Sequence, residues 1–195
     1  MTHAWLKDIP EGAARVTALS NVVPTLKTER TVLRLPRLSD WETLEPIWRT
    51  DRGIYIGGPM NGEDSFLDFN QTISSWFLRG FGFWTVTLAE DDNVIGLVGL
   101  GMEYGDQDLE LGWLLIEAAE GQGLAFEAAS AARDYARSQN LPTLVSYIDS
   151  RNARSQTLAQ KLGATRDPAA EAALGPDVDA HVWRHWGDTS KGASQ

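Results

Sequence analysis

The stretch EGQGLAFEAASAARDYA, residues 120–136, sets Gly121 and Gly123 one residue apart at the entrance to an alanine-rich, helix-forming segment. A strand-forming run, LELGWLLI, delivers the chain to this point. A strand, a short glycine-containing turn and a helix start leave several backbone N–H groups free at the positive end of the helix dipole. That is the chemistry of an anion site, in which glycine removes the Cβ that would stand between a phosphate and the backbone. Two standard phosphate loops do not match. A P-loop needs GxxxxGK followed by Ser or Thr, yet no lysine lies between Lys27 and Lys161. A dinucleotide fingerprint needs a third small residue where Phe126 stands. The same glycines would also serve a plain tight turn, and local sequence leaves both readings open.

Other chemistries are thinly supplied. The chain has no cysteine, which removes disulfides, thiolate nucleophiles and cysteine-based metal sites together. Of its three histidines, His181 and His185 could share one side of a strand. A metal would need further ligands, and HVWRHW reads as a closing strand, so no metal is expected.

The elements that must position the turn are legible from their periodicities. TVLRLPRL is an opening strand, and Ser39 or Asp40 can cap a helix through WETLEPIWRT with Pro46 an irregularity in it. DRGIYIGGPMNGED is a glycine-rich loop, followed by a helix from about Ser65 to Leu78 with Phe66, Phe69, Ile73 and Phe77 at helical spacing. GFWTVTLAE, NVIGLVGLGM and DLELGWLLIE follow in series with short turns, as an antiparallel meander does. The helix after the glycine turn carries a small-residue face of Ala125, Ala128, Ala129, Ala132 and Ala136, opposite a polar face of Ser130, Arg133, Asp134 and Arg137. TLVSYI is a strand, Asn152 to Leu162 a short helix ended by Gly163, and HVWRHW the last strand. The fold class is α+β, a mixed but mostly antiparallel central sheet flanked by helices.

At 195 residues and 43% hydrophobic content the chain fits a single domain. We expect residues 1–26 to form an N-terminal extension, 27–187 the domain and 188–195 a flexible tail. The apolar runs reach about nine residues, against about twenty for a bilayer span, and the N-terminus lacks the features of a secretory signal. No membrane association and a cytoplasmic location are expected. A net charge of −10 argues against a nucleic-acid partner and suits a cationic small molecule better.

ELGWLLIEAAEGQGLAFEAASAARDYA, then a strand, then NARSQTLAQKLGA, resembles the GNAT superfamily of N-acetyltransferases, in its RimJ/RimL-like branch. The resemblance runs from about Leu33 to Trp186. Its most specific parts are Gln122-Gly-Leu-Ala with Glu127-Ala-Ala, and Asn152-Ala-Arg-Ser with Lys161-Leu-Gly, in order and about thirty residues apart.

The resemblance implies an acetyl-CoA site. Gly121, Gln122, Gly123, Leu124 and Ala125 would cradle the CoA pyrophosphate through backbone N–H groups, although Glu120 stands where the family commonly has Gln or Arg. The strand before it, about Gly112 to Ile116, would splay from its neighbour and pair with the pantetheine through Leu114, Leu115 and Ile116. A backbone N–H near Leu114 would meet the oxyanion. Acetyl transfer to an amine further needs a base and a proton for the thiolate. Glu110 is the first choice of base and Glu103 the second. The family's tyrosine is missing from the last helix, and the resemblance to the RimJ/RimL-like branch implies Ser155, the serine of Asn-x-x-Ser, as the thiolate's proton donor, with Asn152 contacting the cofactor. Asn152 would equally cap that helix. The loops IYIGGPMNGED and MEYGDQD would border the acceptor cleft, supplying Tyr55, Glu63, Asp64, Glu103, Tyr104, Asp106 and Asp108, of which Tyr55, Glu103 and Tyr104 are taken as substrate-binding. The expected activity is acetyl transfer from acetyl-CoA to a primary amine, with a cationic amine favoured and a homodimer allowed. The alternative is an acyl-CoA-binding sensor that performs no transfer.

Overall fold

A computed structural model describes residues 4–7, 9–175 and 178–187 of the protein, so the expected tail at 188–195 lies outside the described residues. In chain order the elements are helix α1 (Ala13–Ser20), strands β1 (Leu26–Lys27) and β2 (Thr31–Arg34), helices α2 (Trp41–Leu44), α3 (Pro46–Arg49) and α4 (Gly62–Arg79), and the meander β3 (Phe83–Leu88), β4 (Val94–Gly101) and β5 (Glu110–Leu115). Helix α5 (Leu124–Ser138), β6 (Leu144–Asp149), α6 (Ala153–Lys161), β7 (Thr165–Arg166), α7 (Pro168–Ala173) and β8 (Ala180–Trp186) complete it. The eight strands form one sheet in the order β1-β2-β3-β4-β5-β6-β8-β7. Every pairing is antiparallel except β5 with β6, which α5 joins as a crossover. This is the expected α+β architecture.

Two cores lie on the two faces of this sheet. Under α5 the buried cluster includes Leu33, Trp84, Val86, Val98, Leu100, Leu111 and Leu144 with the alanines of the helix. Ala128, Ala129, Ala132 and Ala136 are each fully buried, while Ala125 is half-buried. Side chains this short let α5 lie close on the strands. On the other face Trp41, Leu44, Ile47, Trp48, Phe69 and Leu97 pack together. Leu6 of the N-terminal segment joins that cluster, and Trp5 meets Phe66 edge-on at 4.7 Å.

Several expectations shift by a few residues for identifiable reasons. The first helix starts earlier than a Ser39 or Asp40 cap would place it, in a 3-10 turn at Leu38–Asp40. Asp40 is instead buried in its first turn, taking the Arg37 N–H, the Thr85 hydroxyl and a two-pronged ion pair from Arg34. Pro46 divides the segment into α2 and α3, since it cannot donate an N–H to the preceding turn. Helix α4 begins at Gly62 because Asn61 accepts the Asp64 N–H, and it buries Trp76 whereas Phe77 is exposed. The extension also holds a regular helix, α1, whose side chains are mostly exposed and so left no periodic signature.

Candidate active site

β5 and β6 meet at a single register pair, Glu110 with Val145, and part beyond it. Val145 N–H donates to Leu109 C=O at 3.0 Å. In a regular parallel ladder the next bond would run from Tyr147 N–H to Leu111 C=O. Two side chains interrupt it. The Tyr147 N–H turns to Glu110 Oε1 at 3.3 Å, and Leu111 C=O accepts the Ser146 hydroxyl at 2.6 Å. Because that hydroxyl has one proton, His185 Nε2 must donate to Ser146 Oγ across their 3.1 Å contact. Burial, and then Arg133, push the His185 imidazole down to about 4, so it stays neutral. The vertex of the opening is thus built from Glu110, Ser146 and His185, and the histidine pair has a structural place in β8.

Backbone parity fixes what faces the opening. Ile116 N–H donates to Ile95 C=O of β4, so Leu114, two residues earlier, also turns its N–H and C=O to β4. Leu111 and Leu115 use their C=O groups on the other side, toward Ser146 and Arg52. The backbone N–H groups turned toward the opening are therefore those of Trp113 and Leu115, one residue to either side of the Leu114 N–H that the sequence singled out.

Glu110 is half-buried on the face opposite α5. Gly112 leaves its neighbourhood to the Phe83 ring, since a Cβ there would stand 2.7 Å from Cζ. Desolvation, reinforced by Asp106 and Glu103, raises the Glu110 carboxyl to about 8, against a weaker opposing effect of the Tyr147 N–H. Glu103 is raised as well, by desolvation and then by Asp68 and Asp106. Asp68 of α4 had no signal in the sequence beyond being one carboxylate among many. It is raised by burial despite accepting the Trp48 indole N–H at 2.6 Å. Asp106 accepts the Glu103 N–H, and the Tyr147 hydroxyl accepts the Gln107 and Asp108 N–H groups, which fixes the 103–109 loop.

The other rim candidates differ in their surroundings. Asp108 pairs with Arg184 at 3.0 Å, Asp64 serves the α4 cap, Glu63 is exposed and Tyr104 projects fully into solvent. Tyr55 lies under the Arg151 guanidinium, 5.9 Å from its ring centroid, beside α6.

On the α5 face of the opening, Trp113 Nε1 donates to Ser155 Oγ at 3.2 Å. The serine oxygen is thereby oriented while its own proton remains available. Asn152 Oδ1 caps α6 by accepting the Ser155 N–H at 3.1 Å, which leaves the Asn152 amide N–H₂ for another partner. Cap and contact are compatible.

At the glycine turn, Gly121 and Gly123 take φ of +74° and +78°, the left-handed region that side chains disfavour. Among the described residues nothing lies within 4 Å of a Cβ on Gly121, and only Arg30 Nη2, at 3.6 Å, approaches one on Gly123. A side chain at either position would project into open space in front of the turn. Gly123 is the N-cap of α5 and no side chain caps the helix. Gln122 donates its amide to Ala118 C=O and gives its own C=O to Arg30. Leu124 is buried in the core, so only its backbone can serve a ligand, as holds for half-buried Ala125. The turn is clamped from below: Glu127 accepts from the Arg30 side chain and N–H and from the Thr28 hydroxyl, at 2.6 to 2.7 Å. Thr28 and Arg30 lie nearly a hundred residues upstream, beyond the reach of any local motif.

Glu120 is held by Arg52 and Arg154, and Arg52 also donates to Leu115 C=O at 2.6 Å. Among the described residues no group of three or more His, Asp or Glu is placed to hold a metal, and no helix is long and apolar enough to cross a membrane.

Comparison with known proteins bears on this arrangement. Residues 30–165 match the family model described as an acetyltransferase (GNAT) domain. An acetyltransferase from Agrobacterium tumefaciens superposes with a TM-score of 0.76 at 36% identity, over 83% of this chain and 94% of that one. A GNAT-family acetyltransferase from Bacillus anthracis gives 0.64 at 21% identity, over 83% and 96%. RimL, a ribosomal L7/L12 alpha-N-protein acetyltransferase solved in complex with coenzyme A, gives 0.64 at 17% identity, over 86% and 100%. The open β5–β6 pair, the glycine turn at the head of α5 and the family match together make this chain a member of the GNAT acetyltransferase family.

Proposed function

We propose that the protein moves the acetyl group of acetyl-CoA onto a primary amine by direct attack, in the manner of the RimJ/RimL-like branch, with residues 27–187 as the transferase unit. One observation carries this reading: the base candidate and the acid candidate border one strand opening from opposite faces of the sheet. Glu110, with its carboxyl raised to about 8, stands at the vertex. Ser155, with its oxygen fixed by Trp113, stands on the α5 face.

The turn from Gly121 to Ala125 offers N–H groups to the pyrophosphate, and the edge of β5 at Trp113 and Leu115 offers backbone groups to the pantetheine. An acceptor arriving as an ammonium gives a proton to the Glu110 carboxylate, whose raised affinity for protons suits that transfer. The free amine lone pair forms the N–C bond at the thioester carbonyl. The N–H of Trp113 or Leu115 supports the oxyanion. Collapse breaks the C–S bond, the attacking nitrogen loses its remaining extra proton to water to leave the neutral amide, and the thiolate takes the Ser155 proton, which water resupplies. Glu103 and Asp106 beside Glu110, with Asp68 beside Glu103, concentrate negative charge at the acceptor side, which favours a cationic amine.

A thiol-release assay over a panel of polyamines, aminoglycoside-like amines and peptides with free N-termini tests this. Amine-dependent CoA release supports the reading and names the acceptor class. Acetyl-CoA binding with release no faster than hydrolysis would establish the sensor alternative instead.

A further inference from the structure

Glu120 is an awkward residue for the first position of a diphosphate-binding turn, and its contacts explain its presence. Its two carboxylate oxygens are divided between Arg52, from the 3-10 turn Asp51–Tyr55, and Arg154, from the first turn of α6. Burial alone would raise its carboxyl, but the hydrogen bonds from the two arginines bring it below the ordinary carboxylate range. The three side chains come from three separate elements and meet at the edge of the β5–β6 opening. Arg52 reaches into it: its Nη2 also holds Leu115 C=O, a group on the open edge of β5, and its Nε is buried with no hydrogen-bond partner among the described residues. Arg154 is largely exposed, with Glu120 its ion-pair partner. Arg30, the cation below the turn, is engaged by Glu127 and Gln122.

We infer that Arg52 and Arg154 are the cations that receive the pyrophosphate of acetyl-CoA, and that Glu120 gathers them in the free protein as a carboxylate stand-in that the diphosphate displaces. This rests on the acetyl-CoA reading above. Two guanidinium groups against one carboxylate leave a net positive charge at the turn, and a diphosphate offers more oxygens and more charge than the carboxylate it replaces. The arginines supply from the loop and from α6 the positive charge absent from position 120 of the turn itself. Release of Arg52 also frees Leu115 C=O for the pantetheine.

The test is calorimetric titration of the full-length protein with CoA and with S-acetylpantetheine, which lacks phosphate, in wild type, Arg52→Gln, Arg154→Gln and Glu120→Gln, each checked for an unchanged circular dichroism spectrum. Each arginine substitution is expected to weaken CoA binding by about tenfold or more and to flatten its salt dependence, with acetylpantetheine affinity little changed. Glu120→Gln is expected to strengthen CoA binding several-fold, because the competing charge is gone. Arginine variants that bind CoA like wild type overturn the inference, as does a folded Glu120→Gln variant that loses affinity to the same extent as they do. Failure of the wild-type protein to bind CoA would defeat the acetyl-CoA reading itself, a result distinct from either.

Discussion

At Glu110 the desolvation that strengthens a base also costs stability. In the folded protein this carboxyl keeps its proton up to about pH 8, against an ordinary value near 4.5. Between those values the native state binds more protons than the unfolded state, so this group's contribution makes stability fall as pH rises and levels off above about 8. Glu110→Gln removes that slope, and its thermal midpoint should gain on wild type between pH 5 and pH 8. Its kcat should fall by about 10²-fold and lose the acidic limb expected of wild type near pH 8, with acetyl-CoA affinity little changed. Wild-type rates in this variant would transfer the base to Glu103. For Ser155→Ala, turnover should drop by roughly 10- to 10²-fold, the range of general-acid effects, while Asn152→Ala should cost ~1 kcal/mol through loss of the α6 cap. Measuring kcat and midpoint on both separates a proton donor from a cap. At this scale the sequence was informative where a residue acts on its own strand or helix. Asn152 and Gly123 are examples, since a cap and a left-handed turn are local matters. It was silent on Asp68, Arg30, Ser146 and Trp113, because their roles come from neighbours 20 to nearly a hundred residues away in the chain or from the opposite strand.

Between elements, the close seat of α5 on the sheet depends on four alanines with no exposure. Ala132→Leu would force a side chain into space the strands already fill and should destabilise by about 1–3 kcal/mol, read from a urea midpoint at unchanged slope. A shift of a few tenths would mean that the helix can ride up freely. The turn ahead of α5 has its own test. Gly123→Asp adds charge and volume in the space left to a phosphate, and a left-handed φ that aspartate tolerates better than most side chains. Acetyl-CoA affinity should fall by at least about thirtyfold, ~2 kcal/mol, in a folded variant. The alanine face, the meander and both glycines were readable because period and turn chemistry reveal them. The two-residue strands β1 and β7 and the helices α1 and α7 were not, since short or exposed elements carry little periodicity.

For the whole molecule, the net charge of −10 is unevenly used. Among the described residues Glu103 and Asp106 stand near Glu110 outside any ion pair, whereas most of the ion pairs, Arg34–Asp40, Arg184–Asp167 and Arg30–Glu127 among them, tie separate elements of the frame together. In the proposed reading the opening has a cationic-amine side and a phosphate side, joined by the vertex. That division predicts one-step passage of the acetyl group between them. The most direct measurement is incubation of the protein with acetyl-CoA carrying a deuterated acetyl group and an amine found in the thiol-release screen, followed by mass spectrometry of amine, CoA and intact protein. The account predicts labelled amide and free CoA in equal amounts, with no label on the protein at any time. Label held on the protein, or acetyl-CoA bound with no labelled amide formed from any amine, would contradict it.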